Sequence, residues 1–434
     1  MTDTPAGRSG ASLNLCRLVF IVAGIAWYLG LFLWPAGWQA LLGPLHNGQW
    51  PEYPFLDMHG RLAAFEAHAQ GFPVLYESNP LDPKERTSLK PSWALWPAHL
   101  GIDRTWLVPL SLTTLVLWFA LVFRLVRPRV WHETVLACLL LISPAVMLGV
   151  ERANDDLVYF LLIALAVLIL GRQANPPAWR TALSAGLLFL LAPAKYYPGA
   201  AFSVFLLNQP AWKRLLVIYG PVAVGLGLVV WFNWEEIAYL RQYAPAPFVG
   251  MAHGSGLLWI GTPLKSVGSW LSLAGLAGIL AGAFVLLRRQ EAPKLATVSL
   301  RRGRFALAGI SVLFFCFFLN SNYDYRFIYF LMIVPALFVQ VRTGSASPSV
   351  VAGSWVVLLG MVFILWSDGL YFFFSHDPET GTWDASHYDT LLRIKHAVNW
   401  IVMAGLTGFA TLILRPSLRA LTGRAHPSSD TSHA

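Results

Sequence analysis

The chain has 434 residues, of which 56% are hydrophobic and only 12% charged, with 19 Trp and a mean hydropathy of +0.56. A soluble domain carries about 25% charged residues, so that class is excluded. Repeated apolar runs of about 18–22 residues read instead as an all-α polytopic membrane protein. The formal charge of +9 would suit a nucleic-acid partner. The Lys and Arg residues, however, sit in short clusters between apolar runs, which is how loops set membrane topology, and no nucleic acid is expected.

Residues 1–12 read as a cytoplasmic tail, with Arg8 and then Arg17 marking that side. The first span is expected at 13–34. It is followed by Trp34-Pro35 rather than by a small-residue cleavage site, so it reads as an anchor and not a signal peptide. A first outer loop, 35–105, contains Pro54–Gln70. There Met58, Leu62, Phe65 and Ala69 fall at helical spacing, with Arg61, Glu66 and His68 off that face. An amphipathic helix over 58–70 is expected to lie along the bilayer surface. Further spans are expected at 106–123, 132–150 and 157–170.

Residues 181–208 decide the topology. Read as one crossing, they put Lys213-Arg214 and the cluster Arg288, Arg289, Lys294, Arg301, Arg302, Arg304 outside, against the positive-inside bias. Read as two short helices broken at Pro193–Gly199, they return to the side they left. Broken helices at membrane depth are tolerated where they line a protein or water-filled cavity. The remaining spans are then expected at 215–232, 264–287, 305–319, 327–341, 350–372 and 397–414. That makes about twelve segments in a single membrane domain, 13–414, with a cytoplasmic tail at 415–434 and both termini inside. Of the 22 acids, all but Asp3, Glu133, Glu291 and Asp430 then face outward. No internal repeat is evident, which weakens a transporter reading.

Ionisable groups at span ends beside a cavity are functional candidates. Asp57 is placed to act as a general base, or to N-cap its helix. Asp155 and Asp156 precede an apolar run and could cap it; Glu151 and Arg152 could pair with each other. Lys195 sits within an apolar stretch, where a lysine costs about 2.5–3.5 kcal/mol. It can snorkel to water or meet a phosphate near a helix N-terminus. Arg326 can clamp a phosphate bidentately or pair with Asp324. His253, in an outer Gly-rich loop, could touch a head group. His376, Asp377, Asp384, His387 and Asp389 are metal-compatible types without ligand spacing. Cys16, Cys138 and Cys316 lie in apolar runs and read as small buried hydrophobes. Neither metal nor cofactor is expected. P-loop, dinucleotide, nucleophile-elbow and zinc-protease motifs do not occur.

Three segments together resemble glycosyltransferase family 87, a family of C-type membrane glycosyltransferases that includes polyprenol-phosphate-mannose-dependent mannosyltransferases. They are Phe55-Leu56-Asp57-Met58-His59, Glu151-Arg152-Ala153-Asn154-Asp155-Asp156-Leu157 and Ala194-Lys195-Tyr196-Tyr197-Pro198. The resemblance covers residues 13–208. Asn322-Tyr323-Asp324-Tyr325-Arg326 also looks like a segment of related bacterial proteins. The resemblance implies a C-type fold, a polyprenyl-phosphate sugar donor and inverting transfer with Asp57 as the base. Two departures stand out: Tyr323-Asp324-Tyr325 replaces paired histidines, and Trp93-Ala94-Leu95-Trp96-Pro97 alters an aromatic-proline signature.

The expectation is therefore a hexosyltransferase of the cell membrane, with its site on the extracytoplasmic side and mannose as the expected sugar. The acceptor would be lipid-linked or another envelope glycan. Lys195, Arg326 and His253 would bind the donor phosphate. His59, Glu151, Arg152, Asn154, Asp155, Asp156, Tyr196, Tyr323 and Asp324 would meet sugar or acceptor. Membrane lipids are the expected surroundings. The rivals are a lipid-linked oligosaccharide flippase and a non-catalytic partner of an envelope assembly complex.

Overall fold

The computed structural model describes residues 10–36, 52–88, 90–207, 212–243, 252–260, 262–319, 322–375 and 385–421. The loop residues His376, Asp377 and Asp384, the side chains of His387 and Asp389, and Asn320-Ser321 lie outside the described set.

Helices dominate. In chain order they are α1 (Gly10–Leu33), α2 (Leu56–Ala69), α3 (Leu107–Leu125), α4 (Trp131–Leu141), α5 (Pro144–Glu151), α6 (Asp155–Leu170) and α7 (Ala178–Ala194). After a 3-10 helix, Tyr197–Leu207, come α8 (Trp212–Phe232), α9 (Trp234–Tyr243), α10 (Gly268–Arg288), α11 (Leu300–Leu319), α12 (Phe330–Arg342), α13 (Pro348–Ser375) and α14 (Ala385–Leu421). A two-residue antiparallel bridge joins β1 (Ala252–His253) to β2 (Asn322–Tyr323), pairing Ala252 with Tyr323 and His253 with Asn322.

Eight of the described helices are long and apolar enough to cross a membrane, or nine if α4 and α5 form one span bent by 50°. The bend follows from Pro144, which lacks an amide proton and opens a new helix as its first residue. The other three of the twelve expected segments are present as shorter apolar helices: α6, α7 and Tyr197–Leu207, with 16, 17 and 11 residues. A 30 Å hydrocarbon core needs about 20 residues, so all three fall short of that length. The expected break at 193–199 is real: α7 ends at Ala194 and the 3-10 helix begins at Tyr197. At the other end, α14 continues to Leu421 through Pro416, past the boundary expected at 414.

The core runs along an aromatic column. Trp118 of α3 meets Phe160 of α6, Phe160 meets Tyr329, and Tyr329 meets Tyr197, with ring centroids 5.8–6.1 Å apart. By contrast α8 and α10 leave large side chains such as Trp231, Phe232 and Trp270 outside the core, as helices facing lipid do. The amphipathic helix α2 forms where expected, but it does not lie free on a surface. Leu56, Met58, Leu62, Ala63, Ala64, Phe65 and Ala67 are all buried, more of its circumference than one apolar stripe. It is wedged against the 3-10 helix Ser92–Leu100 and the start of α3.

Candidate functional site

Two chain segments interlock to make the site. Phe55 turns into α2 in the left-handed region, at φ 53°, and caps nothing with its side chain. The first amides of α2, those of Asp57 and Met58, instead donate to the carbonyl of Arg152, at 3.1 and 3.3 Å. Arg152 then returns with its own side chain, Nη2 lying 2.8 Å from Asp57 Oδ1. Asn154 completes the lock. Its Oδ1 accepts the Asp156 amide at 2.9 Å, capping α6, while its Nδ2 donates to Asp57 Oδ2. Asp57 therefore N-caps nothing; its carboxylate is held by side chains, with 16% exposure.

Three carboxylates stand side by side, each with its own cations. Arg86 Nη1 donates to Asp57 Oδ1 at 3.3 Å while its Nε bonds Asp82 Oδ2 at 2.8 Å. Gly60 leaves room for this: a Cβ there would collide with Arg86 Nη2. Asp155 pairs with Arg61 and, at 3.1 Å, with Lys90. Asp156, 1% exposed, takes Lys195 Nζ at 2.6 Å and the Tyr197 hydroxyl on Oδ1, with Arg326 Nε 3.5 Å from Oδ2. These pairs contain six cations and four carboxylates, a positive surplus. Aromatic faces line it: Lys90 and Lys195 lie 5.7 and 5.2 Å from the Tyr159 ring, and Arg326 5.0 Å from Tyr197. Burial, with Arg61 and Lys195 adding to it, pushes the Lys90 ammonium well below its usual range.

The expected residues divide into two neighbouring groups. Asp57, Arg152, Asn154, Asp155, Asp156, Lys195 and Arg326 come together as described, and Glu151 is buried just before them. Tyr196 reaches across to Asn322 Oδ1 at 3.1 Å. His59 lies on the other side of α2; burial and the nearby Arg104 hold its imidazole below the usual pKa. The second group gathers around Asp324. Lys395 bridges Asp324 and Asp368, the latter at 2.7 Å, and His253 Nδ1 is 3.1 Å from Asp324 Oδ1. Tyr323 stacks on Tyr325 at 5.3 Å beside them.

Three placements differ from expectation. His253 is not in an exposed loop: it is 0% exposed in β1, its ring 4.2 Å from Phe327. Burial pushes its pKa well below the usual range, and its Nδ1 faces Asp324. Arg326 pairs with Asp156 and not with Asp324, because Lys395 already holds Asp324. Arg152 pairs with Asp57 and not with Glu151. Sequence reasoning missed Arg61, Arg86, Lys90, Asp368 and Lys395 as site members. Asp368 had a signal, an acid well inside the apolar run 350–372, which requires a buried partner. Lys395 was the partner to look for.

Among the described residues no group of three or more His, Cys, Asp or Glu side chains is arranged to hold a metal ion. Neither a protein-family model nor a curated protein sequence matches the chain, so the family 87 resemblance is carried by its motifs alone. Among solved structures, the chain is similar to the crystal structure of ArnT from Cupriavidus metallidurans in the apo state. The identity is 13% over 96% of this chain and 78% of that one, with a TM-score of 0.32. An overlay that loose bears on neither the reaction nor its residues.

Proposed function

We propose that this protein is a C-type membrane glycosyltransferase that moves a hexose, mannose in the first instance, from a polyprenyl-phosphate donor to an acceptor hydroxyl. The observation that carries the reading is a partly exposed carboxylate, Asp57, set beside a cluster with more cations than carboxylates. A base and a phosphate-binding surface are then adjacent. Asp57 takes the proton from the acceptor hydroxyl as its oxygen attacks the anomeric carbon. The bond from that carbon to the phosphate oxygen breaks, and the electron pair leaves with the phosphate. Lys195 and Arg326 offset the charge that develops there. The guanidiniums of Arg86 and Arg152 hold the Asp57 carboxylate in place beside that surface.

Asp57→Asn tests the reading, because it keeps volume and removes the base. In lipid-reconstituted protein supplied with polyprenyl-phosphate-mannose and a membrane-lipid extract, release of polyprenyl phosphate is expected to fall by at least about 10²-fold. Unfolding temperature should change little. Equal turnover in the variant removes Asp57 as base.

A further inference from the structure

Helices α1, α3, α6 and α11 each have one end near the Asp57 cluster and the other end far from it. α3, for example, begins where Arg104 pairs with Glu66 and finishes 19 residues later, about 28 Å away at 1.5 Å per residue. At that far end four stretches distant in sequence deliver arginines: Arg17 from α1, Arg124, Arg127 and Arg129 at the end of α3, Arg172 after α6, and Arg301 and Arg302 opening α11. They are close enough to act on one another. Arg127 lies within electrostatic reach of Arg17, Arg124, Arg129 and Arg301; Arg301 reaches Arg172, and Arg302 reaches Arg129.

Little opposes this charge. Among the described residues the acid acting on this cluster, at Arg302, is Glu133, which is buried and already engaged by Arg342 at 3.2 Å and by the Arg129 amide at 2.7 Å. Arg127 Nε finds only the neutral carbonyl of Arg124. Arg17 Nε is buried without a hydrogen-bond partner among the described residues. Arg17 also borders an open, shallow apolar face of α1 formed with Asn14, Leu15, Leu18 and Ile21. Charge that merely set topology could be spread over separate loops; convergence of four segments beside an exposed apolar helix face asks for an anion with a hydrocarbon tail.

We propose that this end is a binding site for an anionic phospholipid. Its phosphate is shared by Arg17, Arg127 and their neighbours, and an acyl chain lies along the exposed apolar face of α1. The proposal is independent of the reaction at Asp57.

The test uses the purified full chain in neutral detergent with phosphatidylglycerol, phosphatidylcholine or inorganic phosphate added. Thermal unfolding and native mass spectrometry give the readout. Phosphatidylglycerol is expected to raise the unfolding temperature and to remain bound, and the other two to do neither. A basic residue near an anionic headgroup is worth about fivefold in affinity, so Arg127→Gln with Arg301→Gln should weaken phosphatidylglycerol about 25-fold. Arg241→Gln on α9 should leave it unchanged. An equal gain from phosphatidylcholine or from free phosphate overturns the proposal, as does full binding by the double variant. If that variant does not fold, a salt titration of the unaltered protein decides, since bound phosphatidylglycerol must fall steeply as ionic strength rises toward about 1 M.

Discussion

At the Asp57 end of the bundle Arg61, Arg86, Lys90, Arg152, Lys195 and Arg326 each meet a carboxylate. At the far end Arg17, Arg124, Arg127, Arg129, Arg172, Arg301 and Arg302 share a neighbourhood whose acid, Glu133, is already engaged. The first region keeps a positive surplus, but each of its cations is positioned by a protein carboxylate. The second leaves its charge for the surroundings to meet. Fixed positions suit chemistry, where geometry matters; unmet charge suits attachment, where only sign and reach matter.

The comparison breaks most visibly at Asp156. Asp156→Asn strands Lys195 and Arg326 in buried surroundings, the situation the far end tolerates only at the surface. A loss of about 3–5 kcal/mol is expected, read as a fall in unfolding temperature; unchanged stability would mean that the pairs do not hold the fold. Glu133→Gln takes the counter-charge from the other end. It should cost about 1–3 kcal/mol, and salt near 1 M, where the Debye length is about 3 Å, should recover part of that loss but none of the loss from Asp156→Asn. A pH series sharpens the contrast further. Burial lowers the His253 pKa from its ordinary value of 6.5, so the folded chain binds fewer protons than the unfolded one. Stability from this group is present above about pH 6.5 and declines as pH falls below it; His253→Asn should flatten that decline in a thermal series from pH 7 to 5. The smallest effect belongs to Glu66→Gln. Its pair with Arg104 is substantially exposed, so the variant should lose less than about 1 kcal/mol by the same measurement.

Much of this architecture was legible before the fold was known. Apolar runs mark most helices to within a few residues, as with 13–34 against Gly10–Leu33 and 264–287 against Gly268–Arg288, because lipid imposes one length and one composition. Asp155, Asp156 and Arg326 stand out as ionisable groups at the ends of apolar runs, Lys195 as one within such a run, and Asp57 as a carboxylate at the start of an amphipathic helix in the outer loop. Their partners were not legible. Asp57 finds Arg86 across 29 positions and Asp155 finds Arg61 across 94, and no local pattern marks a pair made by folding. His253 was misplaced because its glycine-rich setting reads as loop, whereas pairing with Asn322 draws it into the core.

The turn at Arg152–Asp156 has a mechanical consequence. Its backbone carbonyl anchors the first amides of α2, its arginine and asparagine grip Asp57, and its last residue is Asp156. The spacing between the two carboxylates is thus set by one peptide segment and a few short bonds, not by how neighbouring helices tilt. Thinner or thicker bilayers would reorient the long spans and leave that spacing as it is, so the protein carries its own ruler through changes in membrane composition.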